Sequence, residues 1–66
     1  MKVNLDREAG ALYIRFSEEK VENTEEVQPG VMLDYDAHGK IVALEILRAS
    51  EVLSGPLTAG LAVEVN

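Results

Sequence analysis

The chain has 66 residues, with no cysteine, one histidine, and twelve acidic against six basic residues, giving a formal net charge of −6. This length allows one domain with a thin core, and the lack of cysteine excludes disulfides and thiolate metal sites. The single histidine excludes a zinc site built on several histidines of one chain. The acid excess argues against nucleic acid and anionic membrane as partners, because both require a basic surface.

The small size also predicts how the chain is stabilised. Without disulfides or a thiolate metal site, a domain this short depends on idealised packing or on association with another subunit. The longest apolar run, Ile41 to Leu44, is far shorter than the roughly 20 residues of a membrane helix, and the first residues lack the apolar segment of a signal peptide. We therefore expect a soluble cytoplasmic protein that forms a homo-oligomer, most simply a dimer.

The first half of the chain shows the period-2 alternation of half-buried strands. Val3 and Leu5 alternate with polar residues, and the turn-forming segment Asp6 to Gly10 follows. The next apolar face consists of Leu12, Ile14 and Phe16. These two strands are predicted to pair as a hairpin.

A charged break then leads to Val21–Val27, where neither face is strongly apolar, so this segment is predicted to be an edge strand. Gln28-Pro29-Gly30 is typical of a type II turn, because proline suits its first central position and glycine its second. Val31 to Tyr35 resumes the alternation of a strand.

The segment Ile41–Leu47 is mostly apolar on both of its faces, which is typical of a strand that is covered on both sides. The cover is expected to come from the C-terminal segment or from a second copy of the chain. The candidate interface residues are Val42, Leu44 and Ile46, together with the tyrosines Tyr13 and Tyr35, because tyrosine is enriched at interfaces.

The C-terminal part is predicted to contain little regular structure. Ala49 to Leu53 is expected to form one helical turn with Ser50 as its N-cap, ended by Ser54-Gly55-Pro56. Leu57 to Asn66 shows a weak alternation that suggests a last strand. The predicted fold is mainly β (α+β): a small antiparallel sheet of four to five strands with one short helical turn, as a domain over residues 1–53 and a tail over residues 54–66.

The stretch Asp34 to Glu45 has two interpretations. As a calcium loop it places Asp34, Asp36 and Glu45 at ligand positions and Gly39 at the turn glycine. An EF-hand, however, needs a helix on each side, and the alternation of Val31 to Asp36 after Pro29-Gly30 favours a strand. The hairpin is therefore the preferred interpretation, with His38 in an exposed turn, and the three acids remain weak candidates for a metal site.

No other pattern indicates catalysis or a bound cofactor. A catalytic triad needs a nucleophile and a positioned base, and the serines and threonines lie in no recognised nucleophile motif. The paired carboxylates are interpreted as solvated charge. Neither a phosphate loop nor a dinucleotide fingerprint is present in the sequence.

Three segments together resemble the DUF2283 family, a bacterial and archaeal family of unknown function. They are Leu5 to Phe16, with the sequence LDREAGALYIRF; Thr24 to Asp36, which contains TEEV and GVMLDYD; and Gly39 to Ser50, which contains GKIVALEIL and Ala-Ser. The chain departs from the family pattern at Gly10, where aspartate is common, and at Ala43, where glycine is common. The resemblance implies a short β-rich domain without an agreed active site.

Three functional hypotheses follow. The first is a non-enzymatic interaction domain that self-associates. The second is an acidic, antitoxin-like protein that neutralises a basic, toxin-like partner, which the net charge favours. The third is a small metal-binding protein that uses Asp34, Asp36 and Glu45.

Overall fold

The computed structural model describes residues 1–54, which form one antiparallel sheet and a single turn of helix. The chain order is β1 (Lys2–Asp6), β2 (Ala11–Arg15), β3 (Asn23–Gln28), β4 (Val31–Tyr35), β5 (Ile41–Ile46) and α1 (Ala49–Val52). The predicted mainly β, antiparallel fold is confirmed. The division into residues 1–53 and a tail stays a prediction, because the tail and its possible strand, Leu57 to Asn66, lie almost wholly outside the described residues.

The strands lie in the spatial order β1-β2-β5-β4-β3, so the last strand of the chain occupies the centre of the sheet. The hairpins β1–β2 and β3–β4 are confirmed, and they flank β5 on either side. The segment Phe16 to Glu22 connects them across one end of the sheet. In this central position β5 is hydrogen-bonded to β2 on one side and to β4 on the other.

The turn residues act as the sequence predicts. Gly30 ends the β3–β4 turn with φ +84°, a conformation that glycine adopts easily and other residues do not. A β-carbon there would lie 3.2 Å from the carbonyl oxygen of Leu47. The backbone N–H of Leu47 donates a hydrogen bond to the carbonyl oxygen of Gly30 at 2.7 Å. Gly30 therefore allows the end of β5 to approach the β3–β4 turn closely.

The hydrophobic core is small. Among residues 1–54, the hydrophobic side chains that are buried belong to Leu12, Val42, Ala43, Ile46 and Ala49. Leu12, Ile46 and Ala49 form one cluster, which is flanked by half-buried side chains: Leu5, Ile14, Val31, Leu44 and Val52. The core thus lies between one face of the sheet and α1.

The helical turn was predicted correctly, but its N-cap was not. α1 begins at Ala49, its N-cap residue is Arg48, and no side chain caps it. Ser50 lies inside the helix because the chain turns two residues earlier, at Arg48, which has φ +48°. The N–H of Ala49 is bonded to the carbonyl oxygen of Gly10 at 2.7 Å, so the helix is tied to the β1–β2 turn. No helix within residues 1–54 is long and apolar enough to cross a membrane.

Candidate interaction surface

The two faces of the sheet differ in chemistry. Opposed residues of antiparallel strands lie on the same face, so the register places Leu5, Leu12 and Ile46 on one face with Val31. Val3, Ile14, Leu44 and Leu33 form the next row of this apolar face. The opposite face carries polar side chains, which include Lys2, Asn4, Arg15, Glu45, Asp34 and Thr24.

The apolar face is incompletely covered by the described residues. α1 packs beside Leu12 and Ile46 at one end, whereas Val3 is 39% exposed and Phe16 49% exposed toward the other end. Phe16 extends the β2–β5 ladder, because its N–H donates to the carbonyl oxygen of Val42 at 2.8 Å. Met1 is 66% exposed and directly precedes β1. We call Met1, Val3 and Phe16 the β1-side patch.

The predicted interface residues of β5 are more enclosed than the sequence suggests. Val42 is 0% exposed and Ile46 is 6% exposed, so in this arrangement their side chains contribute to the core and not to an open surface. Leu44 is half-buried. Ile41, at the start of β5, is 48% exposed, and Met1, Val3 and Phe16 form the β1-side patch, which the sequence pattern did not single out as an interface.

The two tyrosines are half-buried. Tyr13 is on the polar face, where its hydroxyl oxygen accepts a hydrogen bond from Arg15 Nη1 at 3.3 Å. Tyr35 lies at the end of β4, opposite Ile41, where the register of β4 and β5 shifts. Their role as interface residues stays a prediction.

The acids of the calcium-loop interpretation lie on a hairpin, and two of them, Asp34 and Asp36, accept local hydrogen bonds. Asp34 Oδ1 accepts from the hydroxyl of Thr24 at 2.6 Å. Asp36 Oδ1 accepts from the backbone N–H groups of His38 and Lys40, at 2.8 and 3.0 Å. The backbone hydrogen bond from Lys40 holds the pKa of Asp36 below its ordinary value. This geometry is that of a side-chain-stabilised turn, and the helices of an EF-hand do not flank it.

Glu45 lies on β5, opposite Tyr13 and Met32. In residues 1–54 no three acidic or histidine side chains come together in a way that could hold a metal ion. The structure therefore places Asp34, Asp36 and Glu45 on one hairpin without making a site of them.

An open cleft of about 640 Å³ lies between the β2–β3 connection and the β4–β5 turn. Its lining consists of Ser17, Glu19, Asp36, His38, Lys40 and Ile41. His38 and Lys40 are exposed, and the backbone bonds already engage Asp36. The cleft therefore offers polar contacts without the desolvation that a catalytic acid or base requires.

The outer strands differ in charge. Residues 2–15, the β1–β2 hairpin, carry three basic residues, Lys2, Arg7 and Arg15, against the two acids Asp6 and Glu8. Residues 21–39, which contain the β3–β4 hairpin, carry five acids and no lysine or arginine; the acids are Glu22, Glu25, Glu26, Asp34 and Asp36. The negative charge is thus concentrated beside β3, and the exposed apolar side chains of the patch lie beside β1.

These features define a small antiparallel β domain with a thin core and one partly open apolar face. A family model, "Protein of unknown function (DUF2283)", matches residues 2–50, which confirms the resemblance seen in the sequence. The chain belongs to the DUF2283 family. Comparison with curated proteins and with solved structures gave no match.

Proposed function

We propose that this protein is a small, non-enzymatic interaction domain that associates with itself through the β1-side patch. The observation that carries the proposal is the grouping of Met1, Val3 and Phe16 beside β1, on the side of the apolar face that α1 leaves open. Burial of such side chains is favourable by about 25 cal/mol per Å² of apolar surface removed from water.

The thin core supports the proposal independently. Few side chains of residues 1–54 are buried, and Val42 is the single large one that is fully enclosed among them. A domain of this size has little stability to spare. Association with a second copy is one of the ways by which small domains gain the buried area that they lack.

The proposal is tested by measuring mass against concentration by sedimentation equilibrium. The wild-type chain is expected to form a dimer at micromolar concentration, and Val3→Ser is expected to weaken the dimer about tenfold, because one valine of each copy leaves the contact. Val27→Ser is the matched control: Val27 also lies on an outer strand and is 47% exposed. A wild-type chain that stays strictly monomeric contradicts the proposal, as does equal weakening by the two variants.

The acidic segment 21–39 favours a second candidate function, the neutralisation of a basic, toxin-like protein. β3 is exposed along its whole length and carries Glu25 and Glu26 in adjacent positions. A surface of one charge sign attracts a partner of opposite sign and speeds its encounter.

This second function predicts a salt-sensitive complex with a basic protein. Affinity capture from the source cell with the wild-type chain is expected to recover such a protein, and the double variant Glu25→Lys, Glu26→Lys is expected to lose it. Glu8→Lys is the control, because it places the same kind of change in the β1–β2 turn, where Glu8 is exposed. Recovery of no basic protein, or equal recovery by all three chains, removes the support for this function.

A further inference from the structure

We propose that the second copy joins along β1, by antiparallel pairing of β1 with the β1 of its partner around a two-fold axis at Asn4. This inference rests on the proposed self-association and assigns its register. In that register Lys2 of each copy lies opposite Asp6 of the other, and Val3 lies opposite Leu5. The sheets of the two copies become one continuous sheet.

The hydrogen-bonding directions of the backbone leave β1 ready for this pairing. Phe16 N–H donates to Val42, so Phe16 and, by alternation, Ile14 and Leu12 direct their N–H and C=O groups toward β5. The intervening residues Tyr13 and Arg15 therefore direct theirs toward β1.

The β1–β2 register carries this alternation across to β1. Tyr13 lies opposite Asn4 and Arg15 opposite Lys2, so Asn4 and Lys2 face β2. Val3 and Leu5 consequently direct their N–H and C=O groups away from the sheet. Opposed across a two-fold axis, Val3 and Leu5 of the two copies would exchange four hydrogen bonds.

The side chains fit the same register. Lys2, Asn4 and Asp6 share the polar face, and Val3 and Leu5 share the apolar face. Antiparallel pairing about Asn4 therefore sets opposite charges against each other on one face and apolar side chains on the other, both of which are favourable cross-strand pairs. Within its own chain Lys2 lies opposite Arg15, a like charge, so an aspartate from the second copy relieves a repulsion as well.

The other outer strand cannot pair with itself in this way. β3 carries Glu25 and Glu26, and its register with β4 shifts between Glu26 and Gln28. Charges and bulges of this kind protect an edge from pairing. β1, by contrast, pairs with β2 without a register shift over Lys2 to Asp6. Because a five-residue strand gives a contact smaller than a standard interface, we expect a dimer that dissociates in the micromolar range.

Charge reversal tests the register. Lys2→Glu sets a glutamate against Asp6 of the other copy, and Asp6→Lys sets a lysine against Lys2 of the other copy. Each variant replaces two attractive pairs with two repulsive ones, so each is expected to weaken its homodimer about tenfold or more. In a heterodimer of the two variants, the new glutamate lies opposite the new lysine, and the unchanged Asp6 of one variant lies opposite the unchanged Lys2 of the other, so both pairs are attractive. An equimolar mixture is therefore expected to form a heterodimer in preference to either homodimer, measured by native mass spectrometry and sedimentation.

Net charge does not explain this pattern. The wild-type net charge is −6. Lys2→Glu lowers it by two units, to −8, and Asp6→Lys raises it by two units, to −4, yet both variants are expected to weaken the homodimer. Glu18→Gln controls for the exposed ion pair between Lys2 Nζ and Glu18 Oε1, 3.9 Å apart. In the wild type, Asp6 Oδ1 accepts a hydrogen bond from the Ala9 N–H at 3.0 Å. Asp6→Asn keeps an oxygen that can accept this bond but removes the negative charge, so it is expected to weaken the dimer less than Asp6→Lys.

The outcomes separate this inference from the proposed function. If the wild type dimerises but the mixture shows no preference for the heterodimer, the β1 register is wrong and the self-association stands. If the wild type is monomeric, both fail. Circular dichroism of each variant establishes that it retains the sheet, and the mixture provides a gain of association that loss of folding cannot imitate.

Discussion

The β1–β2 and β3–β4 hairpins flank the same central strand, yet they contribute different numbers of side chains to the core. The first contributes Leu5, Leu12 and Ile14 to the core and its surroundings, whereas the second contributes Val31. Every residue of β3 is exposed, and residues 21–39 hold the concentrated negative charge. Side-chain packing is therefore concentrated in the β1–β2 half of the sheet, and the β3–β4 hairpin depends more on its backbone pairing with β5.

The largest expected contrast is in core packing. Leu12→Ala is expected to lower the free energy of unfolding by about 2 to 4 kcal/mol, because Leu12 is 4% exposed and its removal leaves a cavity. Leu33→Ala, the same change at a half-buried position of β4, is expected to cost about half as much. Urea unfolding at one fixed protein concentration measures both, since association would otherwise alter the apparent stability. Equal losses would show that the two halves share the core.

The next contrast concerns the turns. Gly30→Ala is expected to cost about 2 kcal/mol or more, from the strain of a positive φ together with the crowding against the Leu47 carbonyl oxygen. Gly10→Ala, in the β1–β2 turn, has φ +69° but meets its nearest atom, Arg48 Cα, at 3.8 Å. It is expected to cost about 1 kcal/mol. Thermal unfolding of the two variants decides whether the close approach at Gly30 is the greater constraint.

A smaller contrast comes from side-chain hydrogen bonds. Arg15 donates to the carbonyl oxygens of Ser17 and Glu19, at 2.8 and 2.9 Å, and so fixes the start of the β2–β3 connection. Arg15→Met is expected to cost about 1 to 2 kcal/mol. Thr24→Val removes the single exposed bond to Asp34 and is expected to cost about 0.5 kcal/mol or less, because valine favours strands.

Urea unfolding measures this pair as well. A loss for Thr24→Val as large as that for Arg15→Met would show that the acidic hairpin depends on its side chains after all.

The smallest expected effect is on pH dependence. The folded chain holds the pKa of Asp36 below its ordinary value of 3.8, mainly through the backbone bond from Lys40. A lowered carboxyl pKa gives stability that is present above the unfolded value and is lost as the pH falls through the folded one. Asp36→Asn is therefore expected to flatten the stability profile below about pH 4, where the unfolded aspartate begins to bind a proton. An unchanged acid limb in Asp36→Asn, measured by urea unfolding at several pH values, would contradict this.

Much of the fold follows from local patterns in the sequence. Alternation predicts the strands, and Pro29-Gly30 predicts the β3–β4 turn, because both signals act within a few residues. The strand bounds differ slightly: β3 begins at Asn23, two residues after the predicted start, and β5 ends at Ile46. The N-cap was missed because the positive φ of Arg48 has no sequence signal of the kind that glycine or asparagine gives.

The candidate surface was less predictable. The apolar faces of β5 drew attention to Val42 and Ile46, but spatial order decides exposure, and the insertion of β5 between two hairpins buries them. The signal for the β1-side patch was present in the alternation of Val3 and Leu5. What the sequence could not show is that β1 would be an outer strand, because that depends on long-range pairing.

The late position of β5 in the chain has a consequence for biosynthesis. Both flanking hairpins are complete by Tyr35, yet they become parts of one sheet only after β5 has emerged from the ribosome and paired with β2 and β4. Until then β2 and β4 each have unpaired backbone N–H and C=O groups along the edge that β5 will occupy. Two-stranded hairpins are only marginally stable on their own. The backbone hydrogen bonds from Leu47 to Gly30 and from Ala49 to Gly10 then attach the turns of both hairpins to the short segment that follows β5. A nascent chain stalled before residue 41 is therefore expected to be protease-sensitive, and one released beyond Ala49 to be resistant.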